Sequence, residues 1–345
     1  MNIPYANIIF FFVSAVVFSF FATSIAENLF RKLQIVDKPD NRRMHSIVTP
    51  KCGGVVFVLT IVFGLFISAY YGFIGLDECE YVSLALLVIA FVSFIDDINE
   101  LPVVLRLVVH ISVSAFVIYV ILYPKPLFHY EVPEFVDYIF AVIGLTIFIN
   151  IYNFMDGVDG LAAAQSLHLS ITIIILTLLC YDFVIFPNLV LSLATLVLAA
   201  SLGFISHNWH PAKIFLGDVG SISLGLIIGL CLMLLAASSQ HLFIASVIAS
   251  LYYIADGGGT ILIRMIKLEK IWLPHLNHFF HQAVRKGLSH SQVSSRVALC
   301  NLILMFLAVG ALYQPIIATL LAIVSVASTL VHFTGNRISH ETNSR

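Results

Sequence analysis

The sequence predicts an all-α polytopic membrane protein of about eleven spans, with its polar chemistry gathered at one membrane face. Three observations carry this. Of 345 residues, 60% are hydrophobic and 10% charged, against about 25% charged in a soluble domain. Mean hydropathy is +1.01. The apolar residues also fall into stretches near the ~20 residues that cross a bilayer as a helix.

Those stretches are 5–26, 54–74, 81–95, 103–122, 136–154, 162–180, 183–204, 219–237, 241–265, 297–313 and 315–334. The first is too long for a signal-peptide core and has no basic residue before it, so it is expected to stay as a helix. The third is short and ends on Asp96-Asp97. The fifth runs into NIYNFMDGVDG. The eighth follows KIFLGDVGS. The ninth contains Asp256 before three glycines, which predicts a bent or broken helix with Asp256 facing protein, toward Arg264. No internal repeat or low-complexity tract interrupts the series, so one membrane domain over 1–345 is expected, with 337–345 as a mobile tail.

Lys and Arg set the orientation. Of the 17 basic residues, all but Lys125 fall on the odd-numbered connections or the C-terminal tail. Those connections are therefore expected to be cytoplasmic and the N-terminus outside. The near-neutral net charge of −2 gives no nucleic-acid footprint. The five cysteines are scattered, without CxxC, and suit small apolar filling better than zinc or disulfides.

The polar motifs also sit on the odd connections. Asp96 and Asp97 are either helix-end charges facing water or a Mg²⁺-associated or general-base pair. Asn153, Asp156 and Asp159, three apart, line one edge if helical, with glycines allowing close approach. A cap is the alternative, but it leaves two carboxylates without a neighbouring Lys or Arg. Asp218, between Gly217 and Gly220, is a helix N-cap or a hard oxygen ligand for Mg²⁺. His275, His278 and His281 share a helical face at this spacing, with His290 beyond, and suit phosphate or general-acid work better than zinc. There is no GxxxxGK[ST]. Acidic residues for Mg²⁺ and basic residues for phosphate together point to phosphoryl transfer.

DD at 96–97, NxxNxxDGxDGL, NWHPAKIFLGDVGS and the histidine-rich last loop together resemble the polyprenyl-phosphate N-acetylhexosamine-1-phosphate transferase superfamily, in order across residues 37–290. DKPDNRRMHSIVTPKCGG looks most like the branch that initiates O-antigen and common-antigen synthesis. HLNHFFHQ differs from the three consecutive histidines typical of the phospho-MurNAc-pentapeptide translocase. The resemblance implies transfer of a sugar-1-phosphate from a UDP-N-acetylhexosamine to polyprenyl (undecaprenyl) phosphate, releasing UMP, at the bacterial inner membrane. It implies Mg²⁺, with Mn²⁺ as a substitute, and a homodimer as a further partner. By resemblance Asp218 is the metal ligand, and Asp96 and Asp97 bind metal or deprotonate the lipid phosphate. Asn153, Asp156, Asp159, Asn208 and Phe215 match the nucleoside pocket, with Phe215 stacked on uracil. Arg42, His45 and Lys51 lie near the phosphates, Lys213 joins the substrate contacts, and His275 and His278 match the histidine loop. The rival class is a proton-coupled transporter, whose acids belong near the bilayer midplane.

Overall fold

A computed structural model describes residues 5–38, 47–128, 132–270 and 275–335. Within them the chain is almost entirely helical. The helices are α1 (Tyr5–Lys32), α2 (Val55–Tyr70), α3 (Leu76–Ile98), α4 (Val103–Val117), α5 (Glu134–Phe154), α6 (Leu161–Leu179), α7 (Pro187–Asn208), α8 (Asp218–Ser238), α9 (Gln240–Tyr253), α10 (Gly259–Ile266), α11 (Phe279–Arg285), α12 (His290–Gly310) and α13 (Pro315–Gly335). A π-turn, Ile118–Leu122, extends α4, and another, Ile254–Gly258, joins α9 to α10. One short antiparallel ribbon, β1 (Val36–Asp37) with β2 (Thr49–Pro50), follows α1.

Among the described residues, ten helical segments are long and apolar enough to cross a membrane, and α2 is shorter. This is an integral membrane protein. The helices stop where the sequence removes a donor or relaxes φ. Gly72, at φ +71°, ends the turn after α2, and Pro187 and Pro315 open α7 and α13. Two boundaries differ from expectation. Helix α3 runs 76–98 rather than 81–95, since Glu78 caps the Gly75 N–H and Asp96-Asp97 stay helical. Helix α12 starts at His290 rather than 297, because Ser289 and Gln292 form a capping box.

Helix α8 is the hub. It is buried along nearly its whole length and packs on α3, α5, α6, α7 and α9. Outer helices turn side chains such as Phe21, Val104 and Ile316 outward, as a lipid-facing surface requires. At one end of the hub, the arch 50–54 is stitched to the segment entering α8. Phe215 N–H donates to the Pro50 carbonyl, and the Gly53 and Gly54 N–H groups donate to the Phe215 and Leu216 carbonyls. There Gly54 meets Gly220 backbone to backbone, and a Cβ on Gly54 would fall 2.0 Å from the Gly220 Cα. Neither backbone can yield as a side chain could. Gly54→Ala is therefore expected to cost about 3 kcal/mol or more, the upper end for overpacking. Thermal melting in detergent checks this.

Predicted Asp256 sits in the π-turn and is fully buried, so the helix is irregular there and the side chain faces protein, as expected. Its partner is not the predicted one. Its carboxylate accepts from the Phe279 and Phe280 N–H groups at 2.9 and 3.1 Å and from the Tyr252 hydroxyl at 3.1 Å. Arg264 turns instead to Glu269 and the Lys270 carbonyl.

Candidate active site

Five connections converge at one end of the bundle around a cleft of about 290 Å³. The stretch after α1 brings Asp37 and Lys51, and the end of α3 brings Asp97. The α5–α6 turn brings Asp156 to Asp159. The α7–α8 segment brings Asn208 and Phe215 to Asp218, and the segment before α12 brings Leu276, His281 and His290. These are the odd-numbered connections of the sequence.

The carboxylates divide by partner. Asp96 accepts from the Leu101 N–H at 2.7 Å and from Arg106 at 2.8 Å. Asp97 grips the start of α8 through the Asp218 and Val219 N–H groups, at 3.1 and 3.0 Å. Asp218 accepts from the Asn153 amide at 2.9 Å and lies 3.7 Å from Arg106. Asn153 also reaches the Ser221 hydroxyl at 2.9 Å.

The run Asn153, Asp156, Asp159 is not one helical edge. Helix α5 ends at Phe154, so Asn153 is its last turn and the two aspartates belong to the following turn. Burial, then the charges of Asp218, Asp97 and Asp159, push the Asp156 carboxyl up to about 8. It is therefore largely protonated at neutral pH. A folded-state value above the unfolded ~4 means the folded chain binds its proton more tightly, so stability is lost as pH rises from about 4 to 8. Asp156→Asn avoids that loss. With chelator present, the variant is expected to melt above the parent at pH 8 and close to it at pH 5. The difference should be on the order of 2 kcal/mol after discounting for solvent access.

Asp159 has the opposite environment. Burial opposes its charge, but hydrogen bonds from His290 and His210 outweigh that and hold it below the usual carboxylate range. His210 Nδ1 lies 2.7 Å and His290 Nδ1 3.2 Å from its oxygens, and the Ala212 N–H donates to it at 3.2 Å. Asn208 ties the same turn down, accepting from the Gly160 N–H and donating to the Ile214 carbonyl, at 3.1 and 3.0 Å. Asp159 and Asn208 thus build the wall they line.

The histidines do not share a helical face. Residues 275–277 are not helical, and α11 starts only at Phe279. His278 is buried beside Asp256, 3.4 Å from its carboxylate, and stacks on Phe280. His275 packs against His278, and the cleft receives Leu276 and His281 instead. Burial, then neighbouring imidazoles, push His275 down to about 4 and His281 down to about 3, so both are neutral near pH 7. His281 offers the cleft a polar edge, not standing positive charge. His281 Nδ1 is buried without a hydrogen-bond partner.

Lys51 and Phe215 line the cleft, whereas the Lys213 side chain is exposed away from it. Arg42 and His45 lie outside the described residues. Sequence reasoning did not include Arg106 or His210 among the site residues. His281 and His290 were visible within the last loop, but their register depended on where α11 and α12 begin.

A family model described as "Glycosyl transferase family 4" matches residues 80–236, from α3 through α8. The chain is 28% identical to the "Probable undecaprenyl-phosphate N-acetylglucosaminyl 1-phosphate transferase" of Bacillus subtilis (strain 168), over 78% of this chain and 75% of that protein. It is 31% identical to the "Decaprenyl-phosphate N-acetylglucosaminephosphotransferase" of Mycobacterium leprae (strain TN), over 66% of this chain and 59% of the relative. It is 30% identical to the "Phospho-N-acetylmuramoyl-pentapeptide-transferase" of Chlamydia felis (strain Fe/C-56), over 47% of this chain and 44% of that one. The matched segment contains Asp96, Asp97, Asp156, Asp159 and Asp218, which the fold brings to one end of the bundle, so it is over the part of the chain that carries the cleft acids that the chain is similar to glycosyl transferase family 4.

Proposed function

We propose that this enzyme transfers an N-acetylhexosamine-1-phosphate from a UDP-sugar to polyprenyl phosphate, releasing UMP, as the first membrane step of an envelope glycan. The observation that carries the proposal is the single cleft in which Asp156 and Asp218 face Lys51, Phe215, His281 and His290. The printed activities of the Bacillus and mycobacterial relatives support the acceptor class and an N-acetylhexosamine donor. The sorting of basic residues supports a cytoplasmic cleft.

The donor set fits a hard divalent cation. Asp156 is pushed up by burial and then by the carboxylates around it, and among the described residues Arg106, at 3.7 Å, is the cation paired with Asp218. Asp218 and Asp156 would hold Mg²⁺, which supplies charge neutralisation at the diphosphate when bound. Lys51, which also lines the cleft, screens the approach of the two anions. Phe215 offers the face for the uracil ring, and the imidazole edges of His281 and His290 hydrogen-bond phosphate or sugar oxygens.

In the reaction an oxygen of the lipid phosphate attacks the β-phosphorus of the donor. The bond to the bridging oxygen breaks, and that oxygen leaves with UMP. The attacking phosphate has a second pKa of about 6, so it is already largely dianionic and needs little help from a base. That suits an Asp96 already engaged by Arg106 and Leu101. Direct attack is the reading adopted, since Asp97 is committed to α8 and Asp156 and Asp218 would be engaged by the cation. Trapping of a phosphoryl-aspartate would contradict it. A proton-coupled transporter is disfavoured because the acids lie at helix ends, and the intramembrane exception, Asp256, is engaged by α11. The test is UMP release by purified protein given UDP-N-acetylhexosamine donors, polyprenyl phosphate and Mg²⁺.

A further inference from the structure

Asp159 holds two imidazoles, each from a different segment. His210 Nδ1 lies 2.7 Å from its Oδ2 and His290 Nδ1 lies 3.2 Å from its Oδ1. The two rings stand 5.1 Å apart, centroid to centroid. One nitrogen of each ring and one carboxylate oxygen all lie within 4.8 Å of one another.

The trio is held in place from outside. The Ala212 N–H donates to Asp159 Oδ2 at 3.2 Å, and the Ser294 hydroxyl donates to the Asp159 carbonyl at 2.8 Å. His290 opens α12, and its Nδ1 also lies 3.4 Å from the Asp159 N–H. Asp159 and His290 are buried, whereas the His210 side chain is 39% exposed, so the trio opens to solvent on one side.

One imidazole is enough to neutralise one carboxylate. A second, brought from a third segment, exceeds charge pairing and completes a set of two nitrogens and one oxygen. That is the ligand count Zn²⁺ takes where a fourth position stays open to water. With Zn²⁺ about 2.0–2.2 Å from each, ligand atoms stand roughly 3.3–3.5 Å apart. The His290 pair, at 3.2 Å, is close to that spacing. The exposed His210 ring has to back off by roughly half an ångström, and the protons of both hydrogen bonds are displaced. Mg²⁺ takes oxygen ligands, so ligand chemistry separates this trio from Asp156 and Asp218.

We propose that Asp159, His210 and His290 form a second metal site, for Zn²⁺ or a cation of like softness, whose occupation inhibits the enzyme. Asp159 and His290 line the cleft, whereas His210 reaches them from outside its lining. A bound ion takes the His290 edge that otherwise meets substrate oxygens and ties Asp159 to His210. The binding claim stands apart from the proposed reaction, and the inhibition claim rests on it.

The test uses Co²⁺ as a visible stand-in for Zn²⁺, on the untagged full chain in detergent with excess Mg²⁺. Four-coordinate Co²⁺ with nitrogen ligands absorbs strongly in the visible, and Co²⁺ held by carboxylates and water barely does. The parent is expected to show visible bands that Zn²⁺ bleaches. His210→Gln keeps a donor for Asp159 but loses the ligand, and should weaken binding about 100-fold while melting close to the parent. That is the upper end of the loss when only a supporting residue is removed. His290→Gln should lose the bands equally. His275→Ala should keep them, since His275 packs on His278 and not on the trio. In turnover, Zn²⁺ should block UMP release by the parent, and His210→Gln should need about 100-fold more of it. A parent without visible bands overturns the site, as do bands of parental strength in His210→Gln and His290→Gln. Bands that vanish in His275→Ala overturn it too. Strong binding that leaves UMP release untouched overturns the inhibitory role. A chain that binds Co²⁺ as expected but releases no UMP contradicts the proposed reaction while supporting the site.

Discussion

Asp218→Asn is expected to lower UMP release by about 10³-fold, the scale of losing a main electrostatic contact to a reacting group. The variant should still fold. An asparagine keeps the shape of the side chain at the first position of α8, and the Asp218 N–H to Asp97 belongs to the backbone. Removing a charge from a crowded acidic cleft also relieves repulsion with Asp156 and Asp97. The signature is thus loss of turnover with melting temperature unchanged or raised. Activity within tenfold of the parent would show that Asp218 does not hold the cation. Purified variant and parent, assayed at matched protein and Mg²⁺, decide this.

Asp256→Ala is expected to be the most damaging change to stability, at about 3–5 kcal/mol. Substitution orphans the Phe279 and Phe280 N–H groups and the Tyr252 hydroxyl, all at a site closed to water. Because Phe279 and Phe280 open α11, the loss should spread to the segment that carries His281 into the cleft. Hydrogen exchange should quicken first in α11, and activity should fall alongside stability. Asp256→Asn keeps one oxygen and should fall between the two. A melting curve for Asp256→Ala indistinguishable from the parent would remove this account of how the histidine segment is anchored.

Both cases show what the sequence could and could not disclose. The membrane helices were legible because hydrocarbon permits few alternatives to a run of about 20 apolar residues. The costly aspartates at helix ends were legible as chemistry for the same reason. Their separate roles were not. Asp96 and Asp97 are adjacent in sequence, yet one faces Arg106 and the other the start of α8, and only packing distinguishes them. Cys52 read as apolar filling and is fully buried, but its left-handed φ of 68° is not written in its neighbours. The histidine loop failed differently. Its spacing suggested one helical face, but the helix begins at Phe279, so His278 turns to Asp256 and His281 reaches the cleft. Asp256 was the reverse case. An acid before three glycines was enough to predict the broken helix and the inward side chain, although its donors come from α11, far along the chain.

The central claim is that the five converging connections form one phosphoryl-transfer site. Its most direct test is UMP release from a panel of UDP-N-acetylhexosamines by the purified full chain, with polyprenyl phosphate and Mg²⁺. The account predicts UMP and a polyprenyl-diphospho-sugar in equal amounts with at least one donor, both abolished by chelator and by Asp218→Asn. UMP formation that persists without the lipid phosphate, or none with any donor in well-folded protein, would contradict it.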